Sequence, residues 1–268
     1  MVYRDGISGP RVLVTTVRYP ATGRFDGRDH GRAPPALASG PFPLIVFGQG
    51  FDVTPALYAR LLRAWASAGY VVAAPAFPLA DAAAPGGPLE SDLPNEPADV
   101  SFVISRMLAA SAGSAVPLGG LIDPHEIAAA GQSDGGDAAL ASAYDPPDRD
   151  RRIDAAVILS GAEDPFVPGF RIAPGGPPLL ATQGTADPIN LPGATNAFFD
   201  SAPAPKYLLR LIGASHLPPY STDTTQLRIV ARVTTAFLDH YLKHESGAMQ
   251  RMLAAGTVAG VATLAAHP

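Results

Sequence analysis

Residues Ile127 to Gly136 read IAAAGQSDGG, an apolar run that passes through a glycine-rich turn into the helix-forming GDAALASAYD. The turn is Gly131-Gln132-Ser133-Asp134-Gly135, a G-x-S-x-G pattern in strand, turn, helix context. A serine on so sharp a turn projects its hydroxyl above the end of a sheet. The residues two before and two after it must be small for strand and helix to pass each other. A buried strand that feeds directly into a helix is the unit of a parallel sheet, and the rest of the chain repeats it.

Strands are expected at 11–19, 43–47, 70–74, 126–130, 155–159, 178–183 and 207–212, with helices at 54–68, 95–112, 135–144, 193–201 and 224–243. Such alternation predicts an α/β fold, a mostly parallel central sheet with helices on both faces. Runs such as LIVF and YVVAA are apolar throughout, as strands buried on both faces require. One domain over residues 1–268 accounts for the pattern. The irregular segments 22–42, 81–94 and 162–177 are expected to be surface loops, too short for a large lid, and no internal repeat is present.

The 268 residues are 47% hydrophobic and 16% charged, with 27 glycines and 29 prolines. The low charge argues against disorder, and the glycine and proline follow no three-residue period, which excludes a collagen-like chain. There is no cysteine, so disulfides, thiolate metal sites and a cysteine nucleophile are excluded together. The net charge of -5, with Lys206 and Lys243 as the only lysines, leaves no basic stripe for nucleic acid. Met252 to Ala266 is apolar but interrupted by Gly256 and Gly260 and shorter than the ~20 residues of a membrane span. It is expected to be a terminal helix or helix plus strand. The opening MVYRDGISGPR has no apolar signal core, which fits a cytoplasmic protein or an exported one whose signal has been removed. Oligomeric state is left open, with a monomer compatible.

Ser133 needs a base, and the base needs a carboxylate to orient it. His30, His240, His244 and His267 lie in polar or terminal segments, and His125 precedes the nucleophile strand at its far end. His216, in the loop GASHLP that follows the 207–212 strand, belongs at the same sheet edge as Ser133 and is the expected base. Asp187, in GTADP after the 178–183 strand, is the expected acid. Asp164 after the preceding strand is its competitor. Developing charge on a carbonyl oxygen needs preorganised donors, each worth about 3 kcal/mol. The expected donors are the amides of Asp134 and of Phe51, the latter in the loop GQGF after the 43–47 strand. Gly50 and Gln49 of that loop are expected beside the substrate. No metal or cofactor is called for.

Together RVLVTTVRYPATG, GPFPLIVFGQGF, WASAGYVVAAPAFP, IDPHEIAAAGQSDGG, GTADP and KYLLRLIGASH resemble the α/β-hydrolase superfamily. The resemblance is narrower to its lid-poor branch of dienelactone-hydrolase-like, chlorophyllase-like and platelet-activating-factor-acetylhydrolase-like esterases and bacterial cutinases with polyester hydrolases. It implies Ser133 as nucleophile, Asp187 as acid, His216 as base, and the Phe51 and Asp134 amides as oxyanion hole. The chain departs from those relatives in several places. Gln49 stands where many have histidine, and Asp134 brings a negative charge beside the acyl site. Trp65 sits on a core-like helix, so Phe166 is the nearest substitute for the aromatic clamp of polyester hydrolases. The implied activity is cleavage of neutral carboxylic esters of short to medium acyl chain, with polyesters as a narrower version, through an acyl-enzyme. A non-catalytic binding protein on the same fold, or an acyltransferase or amidase using the same triad, are the alternatives.

Overall fold

Eight of the apolar runs line up as one sheet in the computed structural model, which describes residues 2–4 (backbone only), 10–23, 26–114, 117–163, 169–222 and 224–268. A two-stranded ribbon, β1 (Val2–Arg4) with β2 (Pro10–Val12), precedes it. The sheet comprises β3 (Thr15–Arg18), β4 (Phe42–Gly48), β5 (Val71–Pro75), β6 (Ile122–Gln132), β7 (Ala155–Leu159), β8 (Leu179–Gly184), β9 (Lys206–Leu211) and β10 (Ala262–His267). Its spatial order is β10-β9-β8-β7-β6-β4-β5-β3, with β4 to β9 parallel and the two edge strands antiparallel. This is the α/β-hydrolase architecture expected from the sequence. Because the central strands are parallel, the ends of β4, β6, β8 and β9 share one edge of the sheet.

The helices are α1 (Ala59–Ser67), α2 (Glu96–Ala112), α3 (Asp134–Tyr144), α4 (Pro192–Ser201), α5 (Pro218–Ser221), α6 (Thr225–Leu242) and α7 (Ala248–Gly256). Successive strand residues point to opposite faces, and each face has its own core. Ile45, Phe47, Val72, Ala74, Ala128 and Val157 pack with Leu61, Trp65 and Phe237 of α1 and α6. Their strand neighbours Leu44, Val46, Val71, Ala73, Ala129 and Ile158 pack with Val103, Met107, Ala138 and Phe198 of α2, α3 and α4. Two buried faces explain why these strands read as continuous apolar runs rather than alternating ones. Trp65 is fully buried, and its indole N–H donates to Thr234 Oγ1 at 2.9 Å.

Three local expectations change. The run 11–19 is two strands, because Pro10–Val12 pairs with β1 and Thr15–Arg18 pairs with β5. The nucleophile strand begins at Ile122, not 126. Pro124 has no N–H for a ladder, and the register jumps from Phe42↔Ile122 to Leu44↔Ile127 to absorb the extra residues. The helix expected over 54–68 starts as a 3-10 turn, Pro55–Tyr58, before α1. The terminal segment is helix plus strand: α7, then β10 paired with β9.

A buried ion cluster pins the N-terminal ribbon to the domain. Arg11 of β2 donates to both oxygens of Asp92 at 2.8 and 2.7 Å and to both of Asp99 at 3.0 and 2.6 Å. All three side chains are withdrawn from solvent, so each charge depends on the others.

Candidate active site

Ser133 stands between β6 and α3 with φ 54° and ψ -129°, a left-handed conformation that costs a non-glycine residue about 1–3 kcal/mol. Neighbouring bonds hold it there: its N–H donates to Leu159 O at 3.0 Å and its carbonyl accepts from Asp137 N at 2.9 Å. The glycines around it are fixed by space. A Cβ on Gly131 would lie 1.9 Å from Gly135 O, and one on Gly135 would lie 2.3 Å from the Gly48 backbone. Strand β6, helix α3 and the end of β4 therefore touch backbone to backbone, and the serine, 8% exposed, is pushed up at their junction.

Asp187 and His216 come to the same edge on laced loops. Ala186 N donates to Ala214 O at 3.0 Å, and Gly213 N donates to Thr185 Oγ1 at 2.8 Å. His216 Nδ1 lies 2.8 Å from Asp187 Oδ2. The other carboxylate oxygen accepts from Ile189 N at 2.9 Å and Asn190 N at 3.1 Å. Burial alone would raise the Asp187 carboxyl. The His216 ring and the Ile189 amide outweigh it, so its pKa falls below the ordinary 3.8 and it stays ionised. Around this loop, Gln183 donates to Asp187 Oδ2 and to Asn190 O, and Asn190 Nδ2 donates to Ser160 O at 2.7 Å.

The imidazole's other nitrogen does not reach the serine directly. Among the described residues no hydrogen bond joins the Ser133 hydroxyl to His216. The ring Nε2 instead lies 3.1 Å from Gln132 Nε2.

The loop after β4 passes close over the serine: a Cβ on Gly50 would lie 3.1 Å from Ser133 Cβ. The Gly50 N–H donates to Tyr58 Oη at 3.3 Å. The Phe51 amide makes no hydrogen bond among the described residues, and the partly buried Phe51 ring packs against the core beneath α2 and α3. Asp134 is the first residue of α3, where the helix N-terminus favours an anion.

Gln49 is not at the substrate side. It is fully buried, and with its amide oriented to suit its neighbours it donates to Pro75 O at 2.9 Å and accepts from Phe77 N at 3.0 Å. Its role is to tie the β4 and β5 loops together. Phe166 and Asp164 lie outside the described residues.

Sequence reasoning passed over Gln132 and Tyr58. Gln132 is the residue between the first glycine and the serine of the motif, a position that the motif leaves unspecified, and Tyr58 carries no signal at all. It also passed over Glu96, a fully buried carboxyl on α2 whose two oxygens have no hydrogen-bond partner among the described residues. Burial first, then the charges of Asp134, Asp99 and Asp92, push Glu96 well above the ordinary carboxylate range.

A groove of about 720 Å³ lies away from this edge, lined by Arg18, Asp29, His30 and Arg63. It contains none of the residues above. Among the described residues no group of three or more carboxylates and histidines is placed to hold a metal ion. No described helix is long and apolar enough to cross a membrane.

Residues 33–165 match the family model described as Chlorophyllase. The matched segment carries the β4 loop, Tyr58, Gln132 and Ser133 but ends before Asp187 and His216. No curated protein matches the chain.

Proposed function

We propose, from the match of residues 33–165 to the family model described as Chlorophyllase and from the mostly parallel α/β sheet, that this chain is an α/β-hydrolase-type serine esterase working through Ser133, His216 and Asp187. The observation that carries the reading is the convergence of three loops. Ser133 on its strained turn and the Asp187–His216 pair at 2.8 Å occupy the same edge of a parallel sheet. In an open α/β sheet that edge is where ligands bind.

In the proposed reaction Ser133 Oγ attacks the ester carbonyl carbon while His216 Nε2 takes the hydroxyl proton. The amides of Phe51 and Asp134 receive the negative charge on the carbonyl oxygen. Collapse expels the alcohol, which leaves with the proton from Nε2. Water then attacks the acyl-enzyme with His216 again as base, and the carboxylic acid departs. Asp187 stays ionised throughout and stabilises the imidazolium.

A neutral, apolar ester fits the surroundings best. Ile189 and Leu191, 66% and 62% exposed, follow Asp187, and the exposed Leu57 of the 3-10 turn and Leu89 follow β4 and β5 in the chain. The Asp134 carboxylate next to the nucleophile disfavours an anionic acyl group. The test is covalent: a fluorophosphonate should add to Ser133, seen as a mass increase on the peptide that contains it. An unmodified Ser133 in folded protein would overturn the assignment.

A further inference from the structure

The side chain before the nucleophile joins the base to the loop above the serine. Tyr58 and Gln132 are both buried between them. Gly50 N–H donates to Tyr58 Oη at 3.3 Å, and Tyr58 O–H is 2.7 Å from Gln132 Oε1. Gln132 Nε2 lies 3.4 Å from the His216 carbonyl oxygen and 3.1 Å from His216 Nε2.

Each link in this chain has only one polarity. A backbone N–H can only donate, so Tyr58 accepts from Gly50 and spends its own proton on Gln132. Burial, with the Asp134 charge adding, keeps that phenol protonated. A backbone carbonyl can only accept, so the Gln132 atom facing the His216 carbonyl is the NH2. The ring Nε2 therefore receives a hydrogen bond, its proton sits on Nδ1, and Nδ1–H donates to Asp187. Donation runs in one direction through five residues, Gly50, Tyr58, Gln132, His216 and Asp187.

Resting on the esterase reading, we propose that Gln132, anchored by Tyr58, is a positioning residue for the base. Its amide clamps the imidazole against its own backbone carbonyl, selects the tautomer whose Nε2 lone pair is open to a donor, and holds the loop of Gly50 in register with His216. When the ester is attacked, Gln132 releases Nε2, whose lone pair then takes the Ser133 proton, while the amide keeps the His216 carbonyl.

The test uses the full chain with p-nitrophenyl butyrate and compares Gln132→Glu with Gln132→Met. Glutamate keeps the shape and reverses the polarity, so it cannot donate to His216. Methionine keeps the length and removes the polarity. Gln132→Met should lower kcat about tenfold, the worth of one good hydrogen bond, with KM nearly unchanged. Gln132→Glu should be lower still. Tyr58→Phe should lower kcat in the same direction, and Tyr58→Phe with Gln132→Met should be no worse than Gln132→Met alone. The downfield proton resonance of the His216 Nδ1–H should be present in the wild-type protein and broadened in both Gln132 variants. Gln132→Glu turning over as fast as Gln132→Met or faster, or additive losses in the double variant, would overturn the relay. A Ser133→Ala protein that kept its activity would instead overturn the esterase reading, while the Nδ1–H resonance would still report on the relay.

Discussion

Asp187 binds His216 with one carboxylate oxygen, Oδ2 to Nδ1 at 2.8 Å, and uses the other to cap the amides of Ile189 and Asn190. One residue thus orients the ring and fixes its own loop after β8. Asp187→Asn keeps the shape but presents an amide to Nδ1, which favours the wrong tautomer. Activity on a soluble ester should fall about 10³- to 10⁴-fold, measured as kcat in steady state, with the fold retained by circular dichroism.

Glu96 makes a prediction about pH. Its pKa is raised in the folded chain, so between its ordinary value of 4.5 and its folded value the native state binds a proton that the unfolded chain releases. The contribution of Glu96 to stability therefore falls as pH rises above 4.5. Glu96→Met removes this cost without exposing a charge. The variant should melt higher than wild type by about 2–4 °C at neutral pH, the shift that about 1 kcal/mol gives in a chain of this size. The gap should close as pH falls below 4.5. A gap that stays constant across that range would show that Glu96 is ionised in the fold.

Arg11 neutralises Asp92 and Asp99 where solvent cannot. Arg11→Met leaves two carboxylates buried without their cation, a loss of about 3–5 kcal/mol by urea denaturation. The ribbon β1–β2 should then exchange its amides faster than the central sheet.

Glycine substitutions separate the turn from ordinary helix positions. Gly131→Ala places a Cβ 1.9 Å from Gly135 O and should abolish activity with a large fall in Tm. Gly193→Ala on α4 meets no atom within 4 Å and should raise stability by about 0.5–1 kcal/mol.

The layers were legible because both strand faces are buried, which leaves unbroken apolar runs, and because the G-x-S-x-G stands between an apolar run and a helix-forming segment, the context of a strand-to-helix turn. The placement of Ser133, Asp187 and His216 at one sheet edge was legible for the same reason, each following a strand of the parallel set. Gln49 was not, since its side chain turns under the loop to Pro75 and Phe77, a direction that no spacing encodes. Tyr58 and Glu96 reach their places through tertiary packing of a 3-10 turn and of α2, and neither stands in a motif. The division of 11–19 into two strands depended on which partner each half would find.

The most direct test of the central claim is hydrolysis of p-nitrophenyl butyrate by wild-type and Ser133→Ala proteins of equal melting temperature. Loss of the nucleophile alone should reduce kcat by about 10³-fold or more, to a rate that no longer depends on His216. Undiminished turnover by the Ser133→Ala protein would contradict the account.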